Sequence, residues 1–498
     1  MNRMTIWFTS DIHGYLYDTD FISPRPRDIG LLGFRFPKDE NTLVVDGGDS
    51  IQGSPLTYYC QSTGQPLPVA EAMNGLGYDY VTLGNHDFNI GPDYLAAHLN
   101  ALKARCLCAN VADAEGRLKV TPWAIHTLGN GLRVGLVGLV TDWVKLWEKP
   151  EHLRGITISD PLPAALTAVE ALRREGVDVL VGIYHGGVER DPDTGRLLSQ
   201  TDENIACRLC EAIPFDLLLT GHQHIPMVEK HWHGTHIVQT PCNATHAVLV
   251  EMDESGAFHS RLVPARSGGA TNPEQAALRR SLEAWLDTPI GAFDRAIWPG
   301  EKLEMAMKGS SIAGFFNRVQ LWASGADVSC TALPNALRGF DSTVTVRDVV
   351  ASYVYSNTLV VLEVTGGILR AALEQCATYF DVSSDGRVSV ARPFLEPKEA
   401  HFNYDYFSGI EYAFDLSRPV GSRVIRLTRD GVPVGEDEKL TLVTSDYRAT
   451  GAGDFDMYRD CPRVRQIQTE ISELIIDYIV KHRHIDLPDR HPFQVIGV

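Results

Sequence analysis

Five short polar blocks in the first half of the chain contain residue types that bind metal ions or transfer protons. The blocks are Asp11-Ile12-His13, Gly48-Asp49, Gly84-Asn85-His86-Asp87, Tyr184-His185-Gly186 and Gly221-His222-Gln223-His224. They combine carboxylate, imidazole and amide donors without a thiolate. That combination suits Zn, Mn, Fe, Co or Ni better than a sulfur-loving or an all-oxygen site. The residue types therefore predict a transition-metal centre.

Each block directly follows an apolar, β-prone run, and this order predicts where the donors lie. The runs are residues 5–9, 42–45, 80–83, 177–183 and 216–220. Each run is typical of a buried strand. Because open α/β sheets bind ligands beyond the carboxyl ends of their strands, we expect the blocks to meet at the strand ends of one sheet.

The number of donors predicts more than one ion. The donor side chains are Asp11, His13, Asp49, Asn85, His185, His222 and His224. A single histidine is more often a core or surface residue than a ligand, but seven donors at strand ends argue for a built site. We predict two divalent transition-metal ions sharing Asp49, because ions roughly 3.5–4 Å apart activate a bridging hydroxide and stabilise an in-line phosphoryl displacement.

The elements that must position these donors alternate between strand and helix up to about residue 265. Helices are predicted at Val69–Leu76, Pro92–Ala104 and Pro161–Glu175, and this alternation indicates βαβ units. A Gly-rich turn segment follows at residues 266–272, and Asn272-Pro273 then begins a helix that ends before Pro289. We predict a first domain at 1–268, a linker helix at 269–290 and a second α/β domain at 291–498.

Composition narrows the possible partners. The chain has 498 residues, a formal net charge of −18, 44% apolar residues and 22% charged residues. Nucleic-acid polymers are bound by clustered Lys and Arg, so this charge argues against them, whereas cations in a site can still hold a small anionic substrate. No apolar run approaches the roughly 20 residues that span a bilayer. Nine scattered cysteines and the absence of a leader pattern predict a cytoplasmic protein without membrane contact.

In this order, the five blocks resemble the calcineurin-like metallophosphoesterases, and the resemblance covers the N-terminal half. It implies a four-layer α/β/β/α sandwich that holds two metal ions. Transferred to this sequence, it assigns Asp11, His13, Asp49 and His224 to one metal, and Asp49, Asn85, His185 and His222 to the other. It also implies that His86 is the catalytic acid or oxyanion stabiliser.

The second half resembles the C-terminal domain of the 5'-nucleotidase superfamily. The resemblance is carried by residues 357–366, 402–415, 445–449 and 453–455. Within this superfamily, residues 49–56 and 84–91 are similar to the 2',3'-cyclic-nucleotide 2'-phosphodiesterase/3'-nucleotidase branch. Asn89 stands where 5'-nucleotidases usually carry the Asp that orients the catalytic histidine. The resemblance implies hydrolysis of 2',3'-cyclic nucleotides and 3'-nucleotides, with Asn89 holding His86.

The same resemblance implies how substrate binds. Tyr404 and Tyr447 match the two rings that clamp the base, with Phe402 as a rival to Tyr404. Asp454 matches the acceptor for the ribose hydroxyls. Arg338 matches a phosphate contact, although residues 332–338 replace the glycine run of 5'-nucleotidases. The linker helix is implied to act as a hinge.

Two other functions are consistent with these motifs. One is a 5'-nucleotidase or nucleotide-sugar hydrolase with the same metals. The other is a nucleotide-binding sensor that turns over slowly, which Asn89 and the missing glycine run suggest. Two further groups are interpreted as structural: Cys207 and Cys210 as helix packing, and the histidines at 231, 233 and 236 as solvated side chains around a turn.

Overall fold

The chain divides into two compact units in the computed structural model. The structure describes residues 3–497 except 24, 65–67, 199–201, 356, 384, 397–398 and 488–491. The units are Met1–Glu283 and Ala284–Val498. The division falls inside the helix Pro273–Leu286, which lies in the segment predicted as a linker. The boundaries at 268 and 290 remain predictions.

The first unit is built from fifteen described strands and most of seven described helices. The strands are β1 (Met4–Thr9), β2 (Thr42–Asp46), β3 (Tyr80–Val81), β4 (Arg105–Leu107), β5 (Val111–Asp113), β6 (Val120–Thr121), β7 (Trp123–Thr127), β8 (Arg133–Val140), β9 (Ile156–Ile158), β10 (Val179–His185), β11 (Leu217–Thr220), β12 (Met227–Trp232), β13 (Thr235–Gln239), β14 (His246–Met252) and β15 (Phe258–Pro264). The helices are α1 (Pro55–Thr63), α2 (Pro68–Leu76), α3 (Pro92–Ala101), α4 (Val144–Trp147), α5 (Pro161–Glu175), α6 (Ala206–Ala212) and α7 (Pro273–Leu286), of which α7 crosses the division.

Two mixed sheets form the centre of the first unit. Their strand orders are β15-β14-β1-β2-β3-β4-β6 and β12-β13-β11-β10-β8-β7. The sheets share one apolar core, in which Ile6 and Phe8 of the first sheet cluster with Val181 and Ile183 of the second. Helices α5 and α6 bury their apolar faces on the outer side of the second sheet. Helices α2 and α3 lie beside β3 of the first sheet. Helices therefore pack against both sheets, and the predicted four-layer α/β/β/α sandwich is confirmed.

Local sequence signals explain where the helices begin and end. Helix α5 begins at Pro161, directly after Asp160, whose carboxylate accepts from the Leu162 N–H. Its last residue is Glu175, and Gly176 caps the helix in the left-handed region with φ 73°. The predicted bounds of this helix are those observed. The helix predicted at Pro92–Ala104 instead ends at Ala101, because Leu102 adopts an extended backbone.

The second unit has its own α/β pattern. Its strands are β16 (Pro289–Phe293), β17 (Val328–Ala332), β18 (Thr343–Thr345), β19 (Leu359–Thr365), β20 (Phe380–Val382), β21 (Val388–Val390), β22 (Asp405–Ser408), β23 (Glu411–Asp415), β24 (Val424–Arg429), β25 (Val432–Pro433), β26 (Lys439–Ser445), β27 (Arg463–Ile467), β28 (His484–Ile485) and β29 (Phe493–Ile496). Its helices are α8 (Lys302–Lys308), α9 (Ser311–Ser324), α10 (Val346–Ser352), α11 (Gly366–Ala377), α12 (Asp446–Ala449) and α13 (Ile471–His482).

The largest sheet of the second unit has the strand order β22-β17-β26-β19-β27. Helix α9 is fixed to this sheet by buried polar contacts: Asn317 donates to the Tyr406 carbonyl and accepts from the Ser329 hydroxyl. A four-stranded sheet has the order β25-β24-β23-β29. The predicted α/β class of this half is thereby confirmed. Within the described residues, the helices are too short or too polar to cross a membrane.

Candidate metal centre and aromatic pocket

The predicted metal donors meet at strand ends of the first unit, but at the ends of two sheets. Asp11 and His13 follow β1, Asp49 follows β2, and Asn85 follows β3 in the seven-stranded sheet. The remaining donors, His185, His222 and His224, come from β10 and the loop after β11 in the other sheet. The expectation of a single sheet is therefore wrong. A sandwich brings the ends of two facing sheets together, and strand patterns alone do not distinguish one sheet from two.

One group of donors consists of Asp11, His13 and His224. Their ligand atoms lie within 4.8 Å of one another. His13 Nε2 is 3.1 Å from His224 Nε2, and His224 Nε2 is 3.3 Å from Asp11 Oδ1. About 3 Å is the separation expected for neighbouring ligand atoms around an ion bound at roughly 2.1 Å.

The other donors gather around Asp49. Its Oδ2 lies 3.1 Å from His185 Nε2. Asn85 Oδ1 is 3.1 Å from the same nitrogen and 2.8 Å from His222 Nδ1. Asp11 also lies within reach of Asp49 and His185, because the three can offer ligand atoms within 4.8 Å of one another. The structure thus brings all seven predicted donors into one continuous cluster.

Hydrogen bonds on the far side of three rings determine which nitrogen each presents. His13 Nδ1 lies 2.9 Å from the Gln52 carbonyl, and His185 Nδ1 lies 2.7 Å from the Gly47 carbonyl. Each Nδ1–H therefore donates outward, so Nε2 is the nitrogen that faces the cluster. His222 is reversed, since its Nε2 lies 2.9 Å from Glu203 Oε1 and its Nδ1 faces the cluster. Such outer partners fix ring orientation in metal sites.

The backbone of the cluster is strained in a way that ordinary packing does not require. Five donor residues have φ between 50° and 74°, in the left-handed region that non-glycine residues rarely occupy: Asp11, His13, Asp49, His222 and His224. Each such residue costs of order 1–3 kcal/mol and persists only where the surroundings impose it. The chain therefore turns sharply after three separate strands to aim these side chains at the cluster.

Charge and burial in the cluster fit bound cations. Asp49 Oδ2 is fully buried and has no hydrogen-bond partner in the described residues, although its 3.1 Å approach to His185 is an ion-pair distance. Burial and the neighbouring His224 lower the pKa of His13 to about 4, so this ring is neutral at neutral pH. Burial opposes protonation of His185, but Asp49 raises the pKa of His185 to about 9, so this ring would release a proton on binding a metal ion. Burial opposes ionisation of Asp49, but His185 and His86 hold its pKa well below the usual range. The residues present thus fit divalent cations.

Asp87 holds the loops rather than serving as a ligand. It accepts from the backbone N–H groups of Gly84, Asp49 and Ser50 at 2.8–3.0 Å. Burial and the nearby Asp49 raise the pKa of Asp87 to about 6. Gly84 is required by close packing, because a Cβ there would lie 2.1 Å from Asp49 Oδ1.

The residues predicted for acid catalysis are in contact. His86 Nδ1 lies 2.7 Å from Asn89 Oδ1. The His86 ring centroid is 5.3 Å from that of His13. Three residues near the centre escaped the sequence reasoning: Glu203, Glu148 and Trp147, whose ring stacks on His222 with centroids 5.5 Å apart. They belong to no recognisable motif and come from segments between the strands.

An aromatic cavity of about 220 Å³ lies in the second unit. It is lined by Cys330, Thr331, Ala332, Tyr353, Tyr355, Asn357, Phe402, Asp405, Thr444, Ser445, Tyr447 and Arg448. Ligand pockets typically measure about 300–1,000 Å³, so this cavity is smaller than a typical ligand pocket. Two of its walls are rings in different segments, the half-buried Phe402 and the 47% exposed Tyr447.

Phe402, and not Tyr404, lines this cavity. Tyr404 is 2% exposed and donates through its hydroxyl to the Ala306 carbonyl at 3.0 Å. It does not line the cavity, whereas Phe402 does. Residues 401–403 form a 3-10 turn before β22, so Phe402 and Tyr404 do not lie on the same strand face. Tyr404 therefore turns into the core, against Tyr379 and Tyr406.

The other two predicted substrate residues lie outside the cavity lining. Asp454 is exposed, with φ 67°. Arg338 is 49% exposed and forms an ion pair with Asp348 at 3.2 Å. Their contacts with ribose and phosphate remain predictions.

Arg448, which the sequence reasoning did not single out, holds the cavity together. It pairs with the buried Asp405 at 2.8 Å and donates to the Phe402 carbonyl at 2.9 Å. Its guanidinium also lies 4.1 Å from the Phe455 ring centroid. Because Tyr447 is its chain neighbour, this one side chain connects the backbone segments that carry Phe402 and Tyr447.

Comparison with known proteins identifies the family. A model described as calcineurin-like phosphoesterase matches residues 4–226, and one described as 5'-nucleotidase, C-terminal domain, matches residues 289–460. The crystal structure of a putative 5'-nucleotidase from Staphylococcus aureus, in complex with alpha-ketoglutarate, is 34% identical. It covers 99% of this chain and 100% of that chain, with a TM-score of 0.74. The chain therefore belongs to the 5'-nucleotidase family of calcineurin-like metallophosphoesterases.

More distant relatives of this 5'-nucleotidase family member have related names. The trifunctional nucleotide phosphoesterase YfkN of Bacillus subtilis is 24% identical over 97% of the chain, which spans only 38% of that protein. The 2',3'-cyclic-nucleotide 2'-phosphodiesterase/3'-nucleotidase of Haemophilus influenzae is 24% identical over 95% of the chain and 83% of that protein. As a member of this family the chain is a hydrolase that uses divalent metal ions, which disfavours the slow sensor.

The interpretation of the two cysteines and of the histidines at 231, 233 and 236 as structural residues is only partly confirmed. Cys207 and Cys210 are buried on α6 in the core beneath the second sheet. His233 lies at the turn between β12 and β13, as expected. His236, however, is 2% exposed and bonded to Ser260 at 2.8 Å rather than solvated.

Proposed function

We propose that this enzyme hydrolyses 2',3'-cyclic nucleotides and 3'-nucleotides at a centre of two divalent transition-metal ions. The observation that carries the proposal is the pair His86 and Asn89, 2.7 Å apart beside the seven-donor cluster. Asn89 stands where the 5'-nucleotidases usually carry an Asp, and residues 49–56 and 84–91 both resemble the cyclic phosphodiesterase branch. Relatives named for that branch, from Haemophilus, Yersinia and Salmonella, are 24–26% identical over at least 90% of the chain.

The donor groups support a division of the seven ligands between two ions. Asp11, His13 and His224 form one group, and Asp49, Asn85, His185 and His222 form the other. Asp49 is proposed to bridge, because its buried Oδ2 lacks a hydrogen-bond partner in the described residues. When bound, the ions would supply an activated water and neutralise charge on the phosphate.

The protein residues perform the remaining steps. His86 delivers a proton to the departing ribose oxygen, or stabilises the charge on that oxygen, as the phosphorus–oxygen bond breaks. With a 2',3'-cyclic nucleotide, water adds to phosphorus, the bond to O2' breaks, and a 3'-monophosphate results. Water then displaces the 3' ribose oxygen from a second bound orientation and releases phosphate. Phe402 and Tyr447 are proposed to stack on the base.

A 5'-nucleotidase or nucleotide-sugar hydrolase is the second candidate. It is favoured by the Staphylococcus aureus structure, named as a putative 5'-nucleotidase, which is more similar to this chain than the curated phosphodiesterases described above. Both candidates use the same metal centre. They differ in the leaving group, which is ribose O2' or O3' for the first candidate and ribose O5' or a phosphoanhydride oxygen for the second.

A substrate panel separates the candidates. Protein reconstituted separately with Mn, Co and Zn would be assayed on 3'-AMP, 2',3'-cAMP, 5'-AMP and UDP-glucose. Phosphate release is measured directly for the two monophosphates. For 2',3'-cAMP and UDP-glucose, a coupling phosphatase releases phosphate from the phosphomonoester products. We expect kcat/KM for the first two to exceed the others by at least about tenfold, a difference of roughly 1.4 kcal/mol in transition-state binding. A reversed order would establish the second candidate. Turnover below about 0.01 per second on all four would contradict both.

A further inference from the structure

A line of hydrogen bonds runs from His86 away from the metal centre. Asn89 accepts from His86 Nδ1 through Oδ1, and its Nδ2 donates to Glu148 Oε1. The second carboxylate oxygen, Oε2, lies 2.6 Å from His152 Nδ1. The four side chains lie in a row, and the carboxylate is the third member.

Glu148 occupies this position at a cost that needs an explanation. Its side chain is only 3% exposed, and it follows the last residue of the short helix α4. Its described ion-pair partner is a histidine, which is charged only when protonated. A carboxylate out of water is unfavourable unless hydrogen bonds satisfy it. Asn89 and His152 provide those bonds, one to each oxygen.

The carboxylate determines the orientation of the amide. An ionised carboxylate only accepts hydrogen bonds, so the Asn89 NH₂ group must face Glu148 and its oxygen must face His86. An amide oxygen in turn accepts only, so His86 must carry its proton on Nδ1. Without the carboxylate, the amide could rotate and present its NH₂ group to the ring.

Resting on the proposed function, we infer that Glu148 is a positioning residue that acts on His86 through Asn89. An aspartate at position 89 would place its negative charge directly against His86. Glu148 places that charge one residue farther away, behind Asn89. The charged acceptor strengthens the Asn89 hydrogen bond, and the polarised amide oxygen strengthens the bond from His86 Nδ1. Asn89 therefore does not mean that the pair of histidine and carboxylate is lost. The pair is kept, with one amide between its two members.

The test uses two aryl phosphates, so that it does not depend on the nucleotide preference. Phenyl phosphate has a poor leaving group that needs help from His86, and p-nitrophenyl phosphate has a good one. We expect Glu148→Gln to lower kcat for phenyl phosphate about tenfold and for p-nitrophenyl phosphate less than about threefold, with KM unchanged. In a His86→Ala background, Glu148→Gln should have no further effect, since the carboxylate acts through that ring.

A double variant that exchanges the amide and the carboxylate is the decisive experiment. Asn89→Asp combined with Glu148→Gln keeps one carboxylate and one amide but places the charge against His86. It should restore phenyl phosphate turnover to within about threefold of the unmodified protein. If Glu148→Gln alone loses metal by elemental analysis, the exchange variant still carries the test.

Glu189→Gln is the matched control. Glu189 is also a buried carboxylate of the first unit, but it accepts from the backbone N–H groups of Cys207 and Arg208 at the start of α6. This variant should lower the melting temperature without changing the ratio between the two substrates. The inference is overturned if Glu148→Gln slows both substrates equally, if its effect adds to that of His86→Ala, or if the exchange fails to restore turnover. Failure of the nucleotide panel alone would leave this result intact.

Discussion

The metal centre and the aromatic pocket are positioned by different means. Donors of the centre follow or end strands of two sheets, and five of the seven have left-handed backbones that the surrounding loops impose. The pocket is lined by the ends of strands β17 and β26, by loops and by the short helix α12, and its ring Tyr447 is 47% exposed. The centre is therefore built into the core architecture, whereas the pocket depends on one buried cation, Arg448, to hold its two walls. Substitutions should be correspondingly severe in the centre and graded in the pocket.

Removal of the Asp49 carboxylate, which we propose bridges the two ions, should produce the largest effect. Asp49→Ala would delete the side chain that contacts His185 and accepts from the His86 backbone N–H at 2.7 Å. We expect loss of bound metal and of hydrolysis on every substrate, by about 10⁴-fold or more. Elemental analysis and aryl phosphate turnover would measure the two losses. Retention of two equivalents of metal would contradict the bridging role.

A smaller effect in the centre should follow from changing Glu203. This carboxylate lies 2.9 Å from His222 Nε2 and presents the other nitrogen to the cluster. Glu203→Gln should lower metal affinity about 10–100-fold without abolishing the fold. Titration with a competing chelator would give the affinity. If affinity is unchanged, orientation of His222 must come from its stacking on Trp147 instead.

Graded losses are expected in the pocket. Phe402→Ala and Tyr447→Ala should each raise KM for nucleotides, because stacking on a base contributes roughly 1–3 kcal/mol per ring. Turnover of p-nitrophenyl phosphate should be unaffected. Steady-state kinetics on both substrates would measure this contrast. Equal slowing of both substrates would contradict the stacking role.

Tyr404→Phe is the matched control for the pocket. It removes the hydroxyl that donates to the Ala306 carbonyl and leaves the ring in place. The free energy of unfolding should fall by about 1 kcal/mol, with KM for nucleotides unchanged. A raised KM would contradict the placement of the Tyr404 side chain outside the substrate site.

The contrast also explains what the sequence could predict. Candidate metal donors such as Asp11 and His224 follow buried strands, so the strand pattern and the order of the motifs were enough to predict that they lie at strand ends. Phe402 and Tyr404 are two residues apart, and their directions depend on a single 3-10 turn that no short pattern specifies. Glu148 and Glu203 reach the centre from segments between strands, and the tertiary fold alone brings them there. Pairing of two sheets, rather than one, was likewise beyond strand patterns.

The smallest effect on activity should come from a titratable group beneath the centre. His98 on α3 is buried, and burial lowers its pKa to about 4. Because this pKa lies below the value of 6.5 for an unfolded chain, the unfolded state binds the proton more readily, and the stability that His98 contributes is present above pH 6.5 and lost as the pH falls toward 4. The full difference amounts to about 3 kcal/mol. His98→Leu should therefore flatten the acid limb of the unfolding free energy measured by urea titration between pH 7 and pH 4, with turnover at pH 8 unchanged. If the unfolding free energy of the variant falls between pH 7 and pH 4 as much as that of the unmodified protein, His98 is not the group that titrates. The remaining candidate is then His13, whose lowered pKa would make the metal centre the acid-sensitive part of the first unit.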